Sequence, residues 1–164
     1  MRCHSLVVVN NPSDYWCLSR AIIIGMRYRQ LFATVDGPAA FGNASRSFAA
    51  FCNRQYEHRQ EAGELLRDSG CALDKTTYGL EDVRRIQQLL DERFGANEVR
   101  IVIFRKNKIV FKGTNPRPAR FNLCLLLENC HFSFIGRPEQ LFKVCVCVFF
   151  DVYLQLKSVC FFLF

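Results

Sequence analysis

Several hallmarks of exported and nucleotide-binding proteins are missing from this sequence of 164 residues. Near the N-terminus only Leu6 to Val9 are consecutively apolar, which is too short for the core of a signal peptide. Neither a Gly-x-Gly-x-x-Gly loop nor a Walker loop occurs, so these two phosphate-binding motifs are excluded. The nine cysteines are odd in number and irregularly spaced, which disfavours a disulfide scaffold. We therefore expect an intracellular protein, in the cytoplasm or nucleus, and not a secreted one.

A long uninterrupted hydrophobic run is also missing. Residues 144–164 come nearest to one, but Asp151, Gln155 and Lys157 interrupt them. A charge near the centre of a membrane span costs about 2.5–3.5 kcal/mol on insertion scales, so we expect no span and no membrane partner. With 50% hydrophobic residues the chain is long enough for one packed domain, which we assign to residues 1–143. Residues 144–164 are assigned as an apolar extension rich in Cys and Phe.

Acidic residues are absent between Val99 and Leu127, and the cations of this stretch equal the whole net charge of +7. Such a run indicates either a solvated sheet face or a surface for phosphate backbones. In the second interpretation a basic hairpin contacts DNA, with Phe104 or Phe111 as stacking groups. Its candidate DNA-binding residues are Arg105, Lys106, Lys108 and Lys112.

The spacing of apolar residues predicts helices first and strands afterwards. Helices are expected over 17–32, 54–68 and 80–94, and strands over 6–9, 99–104, 109–112, 121–127 and 131–135. Residues 36–47, rich in Gly, Ala, Pro, Asn and Ser, are expected to form a flexible loop. This order predicts an α+β domain with helices packed on a small, mainly antiparallel sheet.

Cys17 is the most informative candidate for chemistry, because it begins a buried helix directly after a loop rich in turn formers. Unpaired amides and the helix dipole at this position are expected to lower the pKa of its thiol, and loop amides could hold an oxyanion. Of the three histidines, His4 lies near the chain start and His58 on a polar helix face, whereas His131 begins a late strand. His131 is therefore the candidate base. The alternative is an inert core thiol and a hydrogen-bonded strand histidine.

The segment Asp14-x-x-Cys17-Leu-x-Arg20-Ala21 resembles the Asp-Gly-x-Cys-Leu-Phe-Arg-Ala signature of ovarian-tumour-type (OTU) cysteine proteases, which have a papain-like fold. His131-Phe132, after an apolar strand, resembles that family's closing His-Tyr pair. The resemblance implies Cys17 as nucleophile, His131 as general base and the amides of Asp14 to Cys17 as oxyanion hole. Asp14 is also the candidate to orient the imidazole. The implied partner is a ubiquitin-like protein, cleaved at isopeptide bonds.

A second resemblance extends from about residue 10 to residue 143. The chain is similar to the region ahead of the polymerase core in protein-primed family-B DNA polymerases of Maverick/Polinton transposons. The matching patterns begin with Cys17-Leu-Ser-Arg-Ala-Ile-Ile23 and continue through Val99 to Ile103, Ile109-Val-Phe-Lys-Gly113 and Leu125 to Ile135. They imply a protease-like module associated with a mobile-element polymerase.

Polymerase chemistry itself is not expected, because the chain lacks an Asp-Thr-Asp run that could hold two Mg²⁺ ions. The polymerase family continues with a Cys-x-x-Cys segment, where this chain has only Cys145-Val-Cys147. Cys145, Cys147 and Cys160 alone cannot supply four zinc ligands, so neither a metal site nor a cofactor is expected. Three hypotheses remain: a thiol hydrolase, a DNA-binding accessory fragment, and a degenerate fragment without activity.

Overall fold

A computed structural model describes residues 6–9, 15–33, 35–113 and 117–138. Over these residues the protein is α+β, with four α-helices and one five-stranded mixed sheet. None of the described helices is long and apolar enough to cross a membrane. The predicted extension, residues 144–164, lies outside the described residues. In chain order the elements are β1 (Leu6–Val7), α1 (Cys17–Phe32), α2 (Gly37–Asn53), α3 (Arg59–Asp68), α4 (Leu80–Phe94), β2 (Val99–Arg105), β3 (Lys108–Lys112), β4 (Phe121–Glu128) and β5 (His131–Ile135).

The sheet has the strand order β1-β5-β4-β2-β3, and its central pair, β2 and β4, is parallel. The other three pairings are antiparallel, as the sequence predicts. In the parallel pair, β2 and β4 begin at the same end of the sheet, where Phe121 lies beside Val99.

Both hairpins close through turns of two residues in which each residue has a positive φ. Lys106 and Asn107 connect β2 to β3, and Asn129 and Cys130 connect β4 to β5. Two successive left-handed residues are characteristic of type I′ turns, whose twist matches that of the strands they join. The predicted hairpin and the predicted final pair of strands are thus confirmed.

Apolar residues lie on both faces of the sheet, because the central strands alternate between two buried clusters. On β2, Ile101 and Ile103 belong to the main core beneath the helices, while Val102 and Phe104 belong to a second cluster. The second cluster is completed by Cys124, Leu126 and Ile135. This arrangement explains why β2 and β4 read as continuous hydrophobic runs rather than alternating ones.

Helix α1 lies directly on β4 and β5, and Gly25 is the point of closest approach. A Cβ atom at Gly25 would lie 2.8 Å from Leu123 Cγ and 2.9 Å from Phe134 Cε2, closer than carbon atoms normally approach. The absent side chain therefore lets the helix backbone rest on the strands. The N-terminal half of α1 is buried almost throughout, since α2 and α3 also pack against this helix.

The prediction of a flexible loop over residues 36–47 is wrong, because residues 37–47 belong to helix α2 and Asp36 is its N-cap. Pro38 stands in its first turn, where the missing N–H removes no helical hydrogen bond. Ala44, Phe48 and Cys52 form its buried stripe at helical spacing. Burial of this stripe against α1 outweighs the weak helix propensity of the glycines and asparagines.

The second predicted helix, over residues 54–68, is divided. Gln55 to His58 form a 3₁₀ turn, and α3 follows from Arg59. His58 is buried and not on a polar face, contrary to the prediction: its ring stacks on Phe51 at 3.8 Å between ring centroids, and its Nε2 lies 3.1 Å from the Phe51 carbonyl oxygen. A turn of tighter pitch rotates His58 away from solvent.

Helix α4 is attached to the sheet by the buried side chain of Gln87. Its Nε2 donates to the Val99 carbonyl at 2.9 Å, and its Oε1 accepts from the Ile101 amide at 2.7 Å. One side-chain amide thus satisfies two backbone groups of β2, as a neighbouring strand would.

Replacing Gly25 by Ala tests the close approach of α1 to the sheet. We expect Gly25→Ala to lower the free energy of unfolding by about 1–3 kcal/mol, because Leu123 and Phe134 must move to admit the methyl group. Chemical denaturation measures this change. The matched control is Gly79→Ala, where no atom lies within 4 Å of the new Cβ, and it should cost about 1 kcal/mol or less. Equal stability of Gly25→Ala and the wild type would contradict the packing described.

Candidate active site

Cys17 occupies the first position of α1, and its thiol lies against the start of β5. The amide of Phe132 donates a hydrogen bond to Cys17 Sγ at 3.5 Å. The side chain is almost fully buried, with 4% of the residue exposed. The chain thus places the thiol beside the residue that directly follows His131.

This hydrogen bond limits how far His131 can be from the thiol. The α-carbon of His131 is two bonds from the Phe132 nitrogen, so it lies at most about 6 Å from Sγ. Side chains alternate along a strand, however, and Phe132 faces the core that contains Cys17, so the side chain of His131 starts from the opposite face of the sheet, with Ile135. The imidazole would have to pass around the start of β5 to meet the thiol. No hydrogen bond joins the Cys17 thiol to the His131 ring within the part of the chain that the structure describes, and the pairing of the two groups remains a prediction.

Burial raises the pKa of the Cys17 thiol, so the prediction of a lowered pKa is wrong. Removal of the sulfur from water is the largest influence on this pKa. The amides of Phe132 and Leu18 and the charge of Arg20 oppose it with smaller effects. The position of Cys17 in the sequence indicates a helix N-terminus, but it does not reveal that the thiol is buried. In this conformation Cys17 is a neutral thiol at pH 7.

Tyr15 precedes the helix in a left-handed conformation, with a φ of 55°. This residue stands where the OTU signature has glycine, the residue type that adopts such a φ without strain. A tyrosine in this region costs about 1–2 kcal/mol, so the surrounding structure must hold it there. The backbone at Tyr15 therefore has a φ that glycine adopts more readily than other residues.

Trp16 attaches the loop before Cys17 to the rest of the domain. Its indole N–H donates to the Leu73 carbonyl at 3.0 Å, and the Arg59 guanidinium lies 5.6 Å from the centre of its ring. A Cβ at Gly63 would lie 3.1 Å from the indole, so the absence of a side chain there admits the ring. This anchor is not among the predicted site residues, although a single tryptophan next to a candidate nucleophile is a sequence signal for it.

Asp14, the third predicted member of the site, lies outside the described residues. Of the predicted oxyanion donors, only the amides of Tyr15, Trp16 and Cys17 belong to the described part. The hydroxyl of Ser19 and the amide of Arg20 both donate to the Trp16 carbonyl, at 3.1 Å each. These bonds fix the first turn of α1 and hence the position of the thiol.

The predicted DNA-binding residues lie on the β2–β3 hairpin, at the edge of the sheet away from β5. Arg105, Lys106 and Lys108 are exposed, and Lys112 is half-buried. The stacking role suggested for Phe104 or Phe111 is wrong, because Phe104 is completely buried and Phe111 is 8% exposed. Apolar strand positions direct both rings into the two clusters that flank the sheet.

Potential metal ligands are scattered over the described residues, where no group of three or more His, Cys, Asp or Glu side chains could hold an ion. Cys145, Cys147 and Cys160 lie outside the described residues. Comparison with known proteins finds no family model, no curated protein and no solved structure that matches the chain.

Alkylation tests the state of the Cys17 thiol. We expect iodoacetamide at pH 7.5 to modify exposed Cys130 about tenfold or more faster than Cys17, because Cys17 is buried and its pKa is raised. The rate at Cys17 should continue to increase above pH 9, as the fraction of thiolate increases. Peptide mapping by mass spectrometry resolves the two sites. Faster modification of Cys17 than of Cys130 at pH 7.5 would contradict the buried neutral thiol.

Proposed function

We propose that this chain is a papain-like thiol hydrolase module of the OTU type, with Cys17 as nucleophile and His131 as general base. Its proposed substrates are isopeptide bonds formed by ubiquitin-like proteins, and its proposed origin is a transposon polymerase polyprotein. The observation that carries the proposal is the hydrogen bond from the Phe132 amide to Cys17 Sγ. This bond joins a cysteine at a helix N-terminus to the strand residue that directly follows His131. The left-handed Tyr15 supports the same proposal.

The raised pKa of Cys17 favours one form of this chemistry. A neutral thiol needs its proton removed during attack, so His131 accepts the proton from Sγ while sulfur bonds to the carbonyl carbon. The imidazolium then gives this proton to the leaving amine as the carbon–nitrogen bond breaks. Water hydrolyses the resulting thioester and releases the carboxylate product together with the regenerated thiol. Amides of Tyr15 to Cys17 are the proposed donors to the oxyanion.

A ubiquitin that carries an electrophile at its C-terminus tests the proposal directly. We expect the full chain to form a covalent adduct through Cys17, detected as a gain of one ubiquitin mass and located by peptide mapping. Cys17→Ala should abolish the adduct. Cys130→Ser, which removes an exposed thiol from the turn before His131, should preserve it. His131→Gln should slow the reaction by about 100-fold or more, the usual scale of general-base catalysis.

The same experiment can reject the proposal. A folded chain that forms no adduct, or one labelled equally in Cys17→Ala, is not a hydrolase of this kind. Circular dichroism of each variant separates loss of reactivity from loss of structure.

A second candidate function, DNA binding by an accessory fragment, is favoured by the tip of the β2–β3 hairpin. Arg105, Lys106 and Lys108 are exposed there and form no ion pair within the described residues. Exposed cations without acidic neighbours attract phosphate backbones and release counterions on binding.

Charge reversal tests this second candidate. We expect Lys106→Glu with Lys108→Glu to weaken duplex binding by a similar factor for all DNA sequences and to reduce the salt dependence of the affinity. Fluorescence anisotropy at several salt concentrations measures both effects. Arg46→Glu with Arg67→Glu makes the same change in net charge at exposed helical positions and should have a smaller effect. Binding that does not change with salt would rule out this candidate.

A further inference from the structure

Two adjoining hollows lie at the C-terminal end of α1, away from Cys17. The larger has a volume of about 920 Å³ and lies between α1, the end of α4 and the start of β4. The smaller, of about 310 Å³, lies beside β4 and the residues after β5. Tyr28, Arg120 and Phe121 line both, so the two hollows adjoin at these residues, and we call them together the α1–β4 groove. Because α1 has 16 residues, the groove and Cys17 are separated by roughly 20 Å along this helix.

The floor of the groove is apolar and partly open to solvent. Phe94, at the end of α4, is 45% exposed, which is high for a phenylalanine in a folded domain. Met26, Phe32 and Phe121 are half-buried around it. An exposed cluster of large apolar side chains within a concavity is typical of binding surfaces.

Two arginines share a single carboxylate at the rim of this groove. Arg29 forms a 2.8 Å ion pair with Glu98 Oε2, while Arg120 approaches Glu98 Oε1 only to 3.4 Å. The side chain of Arg120 is 79% exposed, against 25% for Arg29. Arg29 is therefore held by Glu98, and Arg120 retains most of its capacity to bind another anion.

The position of Arg120 between the hollows is fixed by its backbone. Its amide donates to the Asn97 carbonyl at 2.7 Å, and the Phe121 amide donates to the Glu98 carbonyl at 3.0 Å. These bonds attach the start of β4 to the turn before β2. A ligand carboxylate at Arg120 would thus lie between two apolar depressions.

We propose that the α1–β4 groove binds a linear peptide segment of a partner protein in which an acidic residue is flanked by bulky apolar residues. One apolar side chain enters each hollow, and the carboxylate forms a paired contact with the Arg120 guanidinium. The charge at the rim, two arginines against one glutamate, favours an acidic partner. The division of the groove by a cation favours separate side chains over the single unbroken chain of a lipid. This site is independent of the proposed hydrolase activity.

A fluorescein-labelled synthetic peptide with a Phe-Asp-Phe centre and Gly-Ser flanks is the probe. We expect saturable binding to the full chain in fluorescence anisotropy. Arg120→Gln should weaken it by about tenfold, the loss expected for one charge-assisted contact. Phe94→Ser should weaken it by a similar factor through the larger hollow. Arg46→Gln, an exposed arginine on α2, should leave the affinity unchanged.

Two altered peptides separate the contributions of charge and apolar contact. A Phe-Asn-Phe centre should lose about as much affinity as Arg120→Gln does, and it should bind that variant and the wild type alike. A Ser-Asp-Ser centre should not bind measurably. Absence of binding, or equal binding of the Asp and Asn peptides, would overturn the proposal. So would a peptide-independent dimer, seen in sedimentation and lost in Phe94→Ser, because a second copy of the chain would then be the occupant.

Discussion

The contact between α1 and the sheet at Gly25 is the constraint on which the rest of the domain depends. Because no side chain separates the helix backbone from Leu123 and Phe134, α1 rests directly on β4 and β5. Its first residue then meets the start of β5, and its last turns reach the start of β4. The candidate nucleophile and the α1–β4 groove are thus positioned by opposite ends of the same rigid element. Such close packing tolerates little change in side-chain volume, so the positions of both regions depend on this one contact.

The thiol of Cys17 shows how two local influences compete. A helix N-terminus stabilises a thiolate, whereas burial destabilises any charge, and here burial dominates the pKa. The neutral thiol still accepts the Phe132 amide, so the sulfur is oriented even though it is not ionised. A general-base mechanism suits this environment better than a preformed ion pair. The proposed chemistry therefore follows from the solvent exclusion around α1 as much as from the identity of the residue.

Much of the fold could be predicted from the sequence where apolar spacing was regular. Helix α4 has the predicted limits, and α1 extends from Cys17 to Phe32 as expected. Helix α2 was not predicted because its composition resembles that of a loop. Its stripe of Ala44, Phe48 and Cys52 stabilises a helix only when α1 covers it. The parallel pairing of β2 with β4 also depends on a long-range return of the chain, which has no local signal.

The turn of Asn129 and Cys130 limits the number of residues that can stand between β4 and β5. With only two residues between β4 and β5, the turn cannot take up an extra residue without changing the pairing of Leu127 with Phe132. Insertion of one residue that shifted this register would exchange the two faces of β5, so that Phe132 and Phe134 would leave the main core and His131 would turn toward it. Such a chain would lose two large side chains from its main core and change the position of its candidate base in a single event. Related sequences that keep this architecture should therefore contain neither insertions nor deletions between Glu128 and His131.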